Sequence, residues 1–296
     1  MLRWQLSLEV SGRCNANTRR QYRNVLVDLV GRVVAAPEWL GSRDPLALTP
    51  DDVVLYLRDL PEQGGARNQA IKALRSFYGY LFDRQIIARH PLGAIKPRRR
   101  RRHGRPPNLT DEELERVFGA AERIDPRARP AMELAFETGA RIGSLVAAMP
   151  EDVHLEEPEG PWVWWRVAKN DDPYESPLSP AAVRACERLL ELRAWHPKHA
   201  ASRRPTLVGV GSGQLWSWVN EAGERAGVKA WPHLFRHAFA YRVTNDPRIP
   251  PLVAAGLMNH KDTSQLTVYA AGDRELARLA VADLRTSRPE SRRGAP

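Results

Sequence analysis

The sequence predicts a mainly α fold in two domains, the second carrying one small antiparallel β-hairpin. Three observations predict it. Apolar residues recur at helical spacing through most of the 296 residues, a length that suits two domains. One stretch, PWVWWRVAKNDDPYESPLS at 161–179, is instead β-branched and aromatic around a polar turn. Between the helical regions lies HPLGAIKPRRRRRHGRPPNLT, 90–110, with a proline near each end and five successive arginines. Such a charge run repels itself and does not pack, so it divides the chain. The predicted organisation is a helical domain over 1–95, a basic linker over 96–108, a second domain over 109–286 and a disordered tail over 287–296.

Taken in order, NTRRQYRNVLVDLVGRVVAA at 17–36 places Tyr22, Val25, Leu26, Leu29 and Val33 on one helical face, with Asn17 as the expected N-cap. TPDDVVLYLRDL at 49–60 opens with Thr49, Pro50, Asp51 and Asp52, a strong helix start. RNQAIKALRSFYGYLFDRQII at 67–87 buries Ala70, Leu74, Phe77 and Leu81 and turns Asn68, Lys72 and Arg75 to the opposite, exposed face. After the linker, Thr110 and Glu113 form a capping box ahead of an amphipathic helix. PAMELAFETGARIGSLVAAM at 130–149 reads as two apolar helices broken at TGAR. The 161–179 hairpin carries Lys169 near its tip, and residues 180–285 alternate helical patterns with short breaks.

The charge balance is 45 Lys+Arg against 35 Asp+Glu, net +10 with a pI near 10.0, and most of the basic residues are Arg. That points to nucleic acid or an acidic membrane surface. The first residues, MLRWQLSLEV, have no signal-peptide core, and no apolar run reaches membrane-spanning length. No basic amphipathic helix with an apolar insertion face is present either, so nucleic acid is the expected partner and no membrane is. Cys14 and Cys186 stand far apart with no metal-type spacing, which fits a reducing cytoplasm. The linker arginines Arg98, Arg99, Arg100, Arg101, Arg102 and Arg105 suit either a solvated hinge or a contact along a nucleic-acid backbone; the motifs that follow favour the second.

Four stretches of the second domain carry polar residues where packing would not place them. They hold Arg141 between two apolar helices, Lys169 at the hairpin tip, the set His233, Arg236 and His237 in WPHLFRHAFAY, and His260 with Tyr269 in LMNHKDTSQLTVYAA. The spacing i, i+3, i+4 puts His233, Arg236 and His237 on one helix face, flanked by Leu234, Phe235 and Phe239. Taken singly, Arg141 suits a helix-end cap, Lys169 an exposed surface and Tyr269 ordinary packing. Zinc wants Cys, His or carboxylates without crowding arginines. Cations converging on one place attract an anion, and two guanidinium forks with imidazole N–H groups suit phosphate. No metal site and no cofactor are expected.

These motifs resemble those of the tyrosine recombinase (phage integrase) family. TGARIGSLVAAMPEDV, 138–153, resembles its first arginine box; HLFRH, 233–237, matches its H-x-x-R-H box. His260 and Tyr269 keep its histidine-to-tyrosine spacing, and Lys169 lies eight residues before Pro177-Leu178 as the family's hairpin lysine does. The helical first domain resembles the family's core-binding domain, so the likeness spans most of 15–285. Two positions depart: Asn259 where the family usually has Gly, and Ser144 where it often has an acid. Asn tolerates left-handed backbone, so Asn259 is expected to replace Gly; Ser144 is expected to loosen support of Arg141.

The resemblance implies strand cleavage by Tyr269, giving a 3′-phosphotyrosyl bond and a free 5′-hydroxyl. Arg141 and Arg236 then clamp the scissile phosphate and His260 bonds to it. His233 or Lys169 accepts protons, and Lys169 is the acid at the leaving oxygen; His237 supports the helix. The exchange conserves the phosphodiester, so neither ATP nor a divalent metal is expected. The first domain's Lys72 and Arg75 are expected on double-stranded DNA with the basic linker, the two domains clamping the duplex. The protein is expected as a monomer or weak dimer when free and a homo-tetramer on two DNA sites, cytoplasmic and nucleoid-associated. The helix RELARLAVADL after Tyr269 docks on a neighbour or on its own domain, both readings being open. With no room for an arm-binding domain before residue 15, a simple two-domain recombinase is expected. A type IB topoisomerase shares the chemistry but lacks a reason for the core-binding domain and linker. A catalytically silent DNA-binding regulator would have lost the nucleophile or arginines, and every expected group is present.

Overall fold

A computed structural model describes residues 1–11, 14–35, 44–61, 65–97, 108–167, 173–195, 205–260 and 263–269. The chain divides into two compact units, Met1–His103 and Gly104–Pro296. The run from Arg98 to Arg102, Arg105, the hairpin-tip Lys169, the segment RELARLAVADL and the tail all lie outside the described residues.

The first unit holds α1 (Leu2–Val10), α2 (Ala16–Ala35), α3 (Pro50–Arg58) and α4 (Ala66–Asp83). Its core gathers Trp4, Leu26, Leu29, Val53, Tyr56, Leu74, Phe77 and Tyr78. Trp4 stacks on Tyr22 at 6.2 Å and meets Phe77 edge-on at 5.4 Å. Thr49 and Asp52 close the capping box that opens α3. The cap of α2 differs from expectation: the Thr18 amide donates to Asn15 Oδ1 at 2.9 Å, while Asn17 lies inside the helix and accepts from Arg20. The first helix has no counterpart in the sequence reading. Trp4 and Leu8 are buried, but Leu2, Leu6 and Val10 are exposed, so apolar residues on both faces blur the period.

Helix α4 ends at Asp83, four residues before the apolar pattern stops. Gln85 takes φ 57°, its amide donates to Phe82 O and the Ile86 amide donates to Leu81 O, a Schellman end. Gln gives no sequence signal for that conformation. Arg75 is also placed differently from the exposed face expected for it. It is half-buried and Nη1 donates to the carbonyls of Leu92 and Ile95 at 3.0 and 2.8 Å, so it fastens the strand of chain leaving α4. Lys72 is exposed.

The second unit runs α5 (Asp111–Ala121), α6 (Ala128–Thr138), α7 (Ile142–Ala147), β1 (Val153–His154), β2 (Trp162–Trp165), β3 (Tyr174–Pro177), α8 (Pro180–Trp195), α9 (Ser212–Ala226), α10 (Pro232–Asn245) and α11 (Pro251–Leu257), then a 3₁₀ turn, Thr263–Val268. The Thr110–Glu113 capping box opens α5 as the sequence predicts. The strands form one antiparallel sheet, β1-β2-β3, with Trp165 opposite Tyr174 and Val163 opposite both Val153 and Ser176. The two-residue β1 is too short to leave a periodic signal. Arg166 holds buried Asp152 through Nε at 2.6 and 2.8 Å, tying the sheet to the turn before β1.

Helix α6 packs on α8 and α10, and α9 packs on α5. The main core fills the space between them with Val117, Met132, Leu134, Trp165, Leu189, Val219 and Phe235. A smaller cluster, Phe239, Val243, Ala254, Met258, Leu266 and Tyr269, lies beyond it. Helix α10 contributes to both clusters, so it is apolar around most of its girth rather than along one stripe. Among the described residues no helix is long and apolar enough to cross a membrane.

Candidate active site

Helix α10 starts at Pro232 after Trp231 in extended conformation, a favoured place for proline because its missing N–H is not needed there. Its first two turns carry His233, Arg236 and His237. They share a face, yet not one environment: His233 is exposed, His237 half-buried and Arg236 only 3% exposed. The rings of His233 and His237 meet edge-on at 4.5 Å.

A buried guanidinium needs partners for its N–H groups. Arg236 Nη1 donates to the Gly139 carbonyl at 2.7 Å; Nη2 donates to the Met258 carbonyl and lies 3.2 Å from His260 Nε2. Both carbonyls come from turns that only particular residues can make. Gly139 ends α6 at φ 63°, and a Cβ there would stand 2.3 Å from the Phe239 ring. After α11, Asn259 takes φ 44°; its amide donates to Gly256 O at 2.8 Å and the His260 amide to Ala255 O at 2.9 Å. This second Schellman end presents the Met258 carbonyl and the His260 ring together to Arg236. Asn259 thus takes the left-handed conformation expected of it.

The Tyr269 ring is buried in the smaller cluster, and its hydroxyl lies 2.8 Å from His237 Nδ1. Asn245 Nδ2, at the far end of α10, donates to the Tyr269 carbonyl at 3.1 Å and to Tyr241 O at 2.7 Å. Sequence reading missed Asn245, although His237, Tyr241 and Asn245 form an i, i+4, i+8 series on one helix.

Arg141 sits at the N-cap of α7, two residues after the Gly139 turn. Its Nη1 is buried with no hydrogen-bond partner among the described residues. Ser144, one turn on, is buried and donates to Val167 O at 2.5 Å. That bond ties α7 to the strand leading to Lys169, so the serine replacing an acid holds the hairpin rather than the arginine. Tyr174, on the returning strand, stands beside Arg236, Arg141 and Ser144 with its hydroxyl buried and outside hydrogen-bonding geometry. Its inward direction follows from the alternation with buried Ser176, a signal present in the sequence but unused.

The description "Phage integrase family" fits residues 107–275, more than half of the chain. This chain belongs to the phage integrase family. It is therefore a tyrosine recombinase, an enzyme of site-specific DNA recombination. Relatives of this integrase extend over most of its length. It is 30% identical to the tyrosine recombinase XerC of Erythrobacter litoralis over 87% of this chain and 82% of that protein. It is 25% identical to the tyrosine recombinase XerD of Listeria monocytogenes serotype 4b over 86% and 88%. Its fold resembles that of a lambda integrase dimer bound to a COC′ core site, with TM-score 0.69, 18% identity and coverage of 91% of this chain and 76% of that one.

The electrostatics of the integrase site follow from burial. Among the described residues neither Arg141 nor Arg236 makes an ion pair with a carboxylate. Burial, then the neighbouring Arg141 charge, push Arg236 down to about 10. Burial raises the Tyr174 hydroxyl, against the pull of Arg236 and Arg141. Burial and Arg236 lower His237, which is neutral at pH 7. The structure brings Arg141, His233, Arg236, His260 and Tyr269 into one neighbourhood. Lys169 lies outside the described residues, two positions beyond the bonded Val167. Among the described residues no cluster of His, Cys, Asp and Glu could hold a metal ion.

Proposed function

We propose that this integrase cuts one strand of double-stranded DNA with Tyr269, forming a 3′-phosphotyrosyl bond, and rejoins it to a 5′-hydroxyl from a second duplex. The observation that supports this most is a pair of guanidiniums with no carboxylate partner among the described residues, beside a buried tyrosine. Arg236 is fixed by two backbone carbonyls, and Arg141 keeps a buried donor with no acceptor among the described residues. A phosphodiester supplies the missing anion and acceptors at once.

In this reading Arg141 and Arg236 hold the non-bridging oxygens and stabilise the charge of the five-coordinate transition state. His260, oriented by Arg236 Nη2, bonds the same phosphate, and His233 faces the DNA from the exposed end of the helix. Lys169 protonates the leaving 5′-oxygen. The bond exchange conserves energy, so the reaction runs without ATP, and the arginine pair takes the part that a divalent ion plays elsewhere. Lys72 and the linker arginines contact the DNA backbone, and four copies assemble on two sites in the cytoplasm. XerH bound to difH and a lambda integrase tetramer on a Holliday junction share the fold, which supports this arrangement by analogy.

The test mixes the protein with supercoiled DNA carrying its own gene's flanking region, in EDTA, and stops with SDS. A covalent protein–DNA adduct with the natural chain and none with Tyr269→Phe is the expected result. Tight binding with no adduct on every site tried refutes cleavage by this chain alone.

A further inference from the structure

We propose that His237 is the general base of the cleavage step, taking the Tyr269 proton on Nδ1. The inference rests on the recombinase reading above but assigns a residue that reading leaves as helix support. A tyrosine hydroxyl ordinarily ionises near pH ~10, so attack at neutral pH needs an acceptor within hydrogen-bond reach.

The geometry selects among three imidazoles. His237 Nδ1 lies 2.8 Å from the Tyr269 oxygen, with ring centroids 5.6 Å apart. His260 directs Nε2 to Arg236 at 3.2 Å. His233 is exposed and presents its ring to His237 at 4.5 Å, one place further from the nucleophile. Among the described residues, the titratable and charged groups facing His237 are His233 and Arg236 on its own helix and Tyr269 on the 3₁₀ turn. Burial and the Arg236 charge hold the imidazole below its ordinary range, so at pH 7 it is neutral and able to accept. The same Arg236 charge attracts the phenolate as it forms. Asn245, bonded to the Tyr269 backbone, keeps the phenol on that side of α10.

The step balances. The Tyr269 O–H bond breaks and its proton moves to Nδ1, giving an imidazolium that keeps its Nε2–H. The phenolic oxygen bonds to phosphorus as the phosphorus–O5′ bond breaks, and the leaving oxygen takes a separate proton from Lys169. Rejoining runs both transfers backwards, with His237 returning its proton to the departing tyrosine.

The experiment compares the natural chain with His237→Gln and His233→Gln. Single-turnover adduct formation is followed on a nicked duplex of the mapped cleavage site, from pH 6 to 9, with DNA affinity measured alongside. The expected result is a rate roughly 10²-fold lower for His237→Gln with unchanged affinity. Its rate should climb about tenfold per pH unit, as prior ionisation of the phenol demands, while the natural chain is flat near neutrality. Natural rate and profile in His237→Gln, or the same loss in His233→Gln alone, overturn the proposal. A second readout needs no cleavage: in ¹⁵N-histidine protein, Nδ1 of His237 should be unprotonated, and its shift should move in Tyr269→Phe. A protonated Nδ1 at pH 7 overturns the assignment. Absence of any adduct from the natural chain counts against the recombinase reading itself, and the ring titration then decides the proton contact separately.

Discussion

The two walls of the site solve the same electrostatic problem in opposite ways. On the wall built from α10, α11 and the Tyr269 turn, the buried cation Arg236 is bonded to two carbonyls and touches His260. On the wall built from α7 and the hairpin, Arg141 Nη1 and the Tyr174 hydroxyl have no hydrogen-bond partner among the described residues. The first wall holds its buried cation without DNA. On the second, Arg141 Nη1 has no acceptor among the described residues until an anion arrives. The difference teaches that, in the proposed reaction, preorganisation is divided: one wall fixes geometry in advance, and the other holds binding energy in reserve for an anion.

Replacing Arg236 tests the first wall hardest. Arg236→Ala removes the proposed transition-state clamp and the donor to the Gly139 and Met258 carbonyls. Adduct formation should fall on the order of 10²–10³-fold. The second unit's unfolding midpoint should fall with it, by the equivalent of about 1–3 kcal/mol. Arg141→Ala should cost a similar factor in rate and leave the midpoint level or higher, because it removes a buried donor with no acceptor among the described residues. Equal destabilisation by both variants would erase the distinction between the walls. Inorganic phosphate or sulfate sharpens it further: either should raise the melting temperature of the natural chain and not of Arg141→Ala.

Gly139→Ala comes next. The new Cβ would stand 2.3 Å from the Phe239 ring at a φ of 63°, so both the backbone and the ring must move. We expect a loss of about 1–3 kcal/mol in stability, read from urea midpoints at constant slope. Because the Gly139 carbonyl receives Arg236, the rate should fall too. On the other wall, Tyr174→Phe removes a buried hydroxyl that has no hydrogen-bond partner among the described residues. Its stability should hold or rise by up to about 1 kcal/mol, and a fall of that size would show the hydroxyl bonded after all.

Much of this was legible in the sequence, and the reasons are local. The Thr49–Asp52 and Thr110–Glu113 caps, the apolar helices and the hairpin are written in neighbouring residues. The motifs that carry Arg141, His233, Arg236, His260 and Tyr269 were legible too, because they keep fixed spacing, and the structure brings these five residues into one neighbourhood. What was hidden depends on the third dimension. Nothing near residue 237 in sequence says that its imidazole meets a phenol 32 residues later. Nothing near Arg75 says that its guanidinium is spent on the carbonyls of Leu92 and Ile95 rather than left facing solvent. The end of α4 was hidden differently: Gln85 adopts a left-handed conformation that Gln rarely announces.

Asn259 is the counterpart of Gln85, a left-handed residue whose chemistry does announce it, and it offers the finest test of the first wall. Its Schellman end sets the Met258 carbonyl and the His260 ring against Arg236, so the turn is local while its consequence reaches the site. Glycine has no Cβ to strain at φ 44°, so Asn259→Gly should shift stability by only a few tenths of a kcal/mol, on the order of 0.3. Alanine carries the Cβ without the short polar side chain that relieves it, and Asn259→Ala should cost about 1 kcal/mol. If the turn acts only through stability, both variants should cleave at the natural rate once folded. If it also aims His260, Asn259→Ala should be slower at a temperature where it is fully folded, and Asn259→Gly should not. The pair therefore separates a turn that only holds the fold from one that also aims the His260 ring.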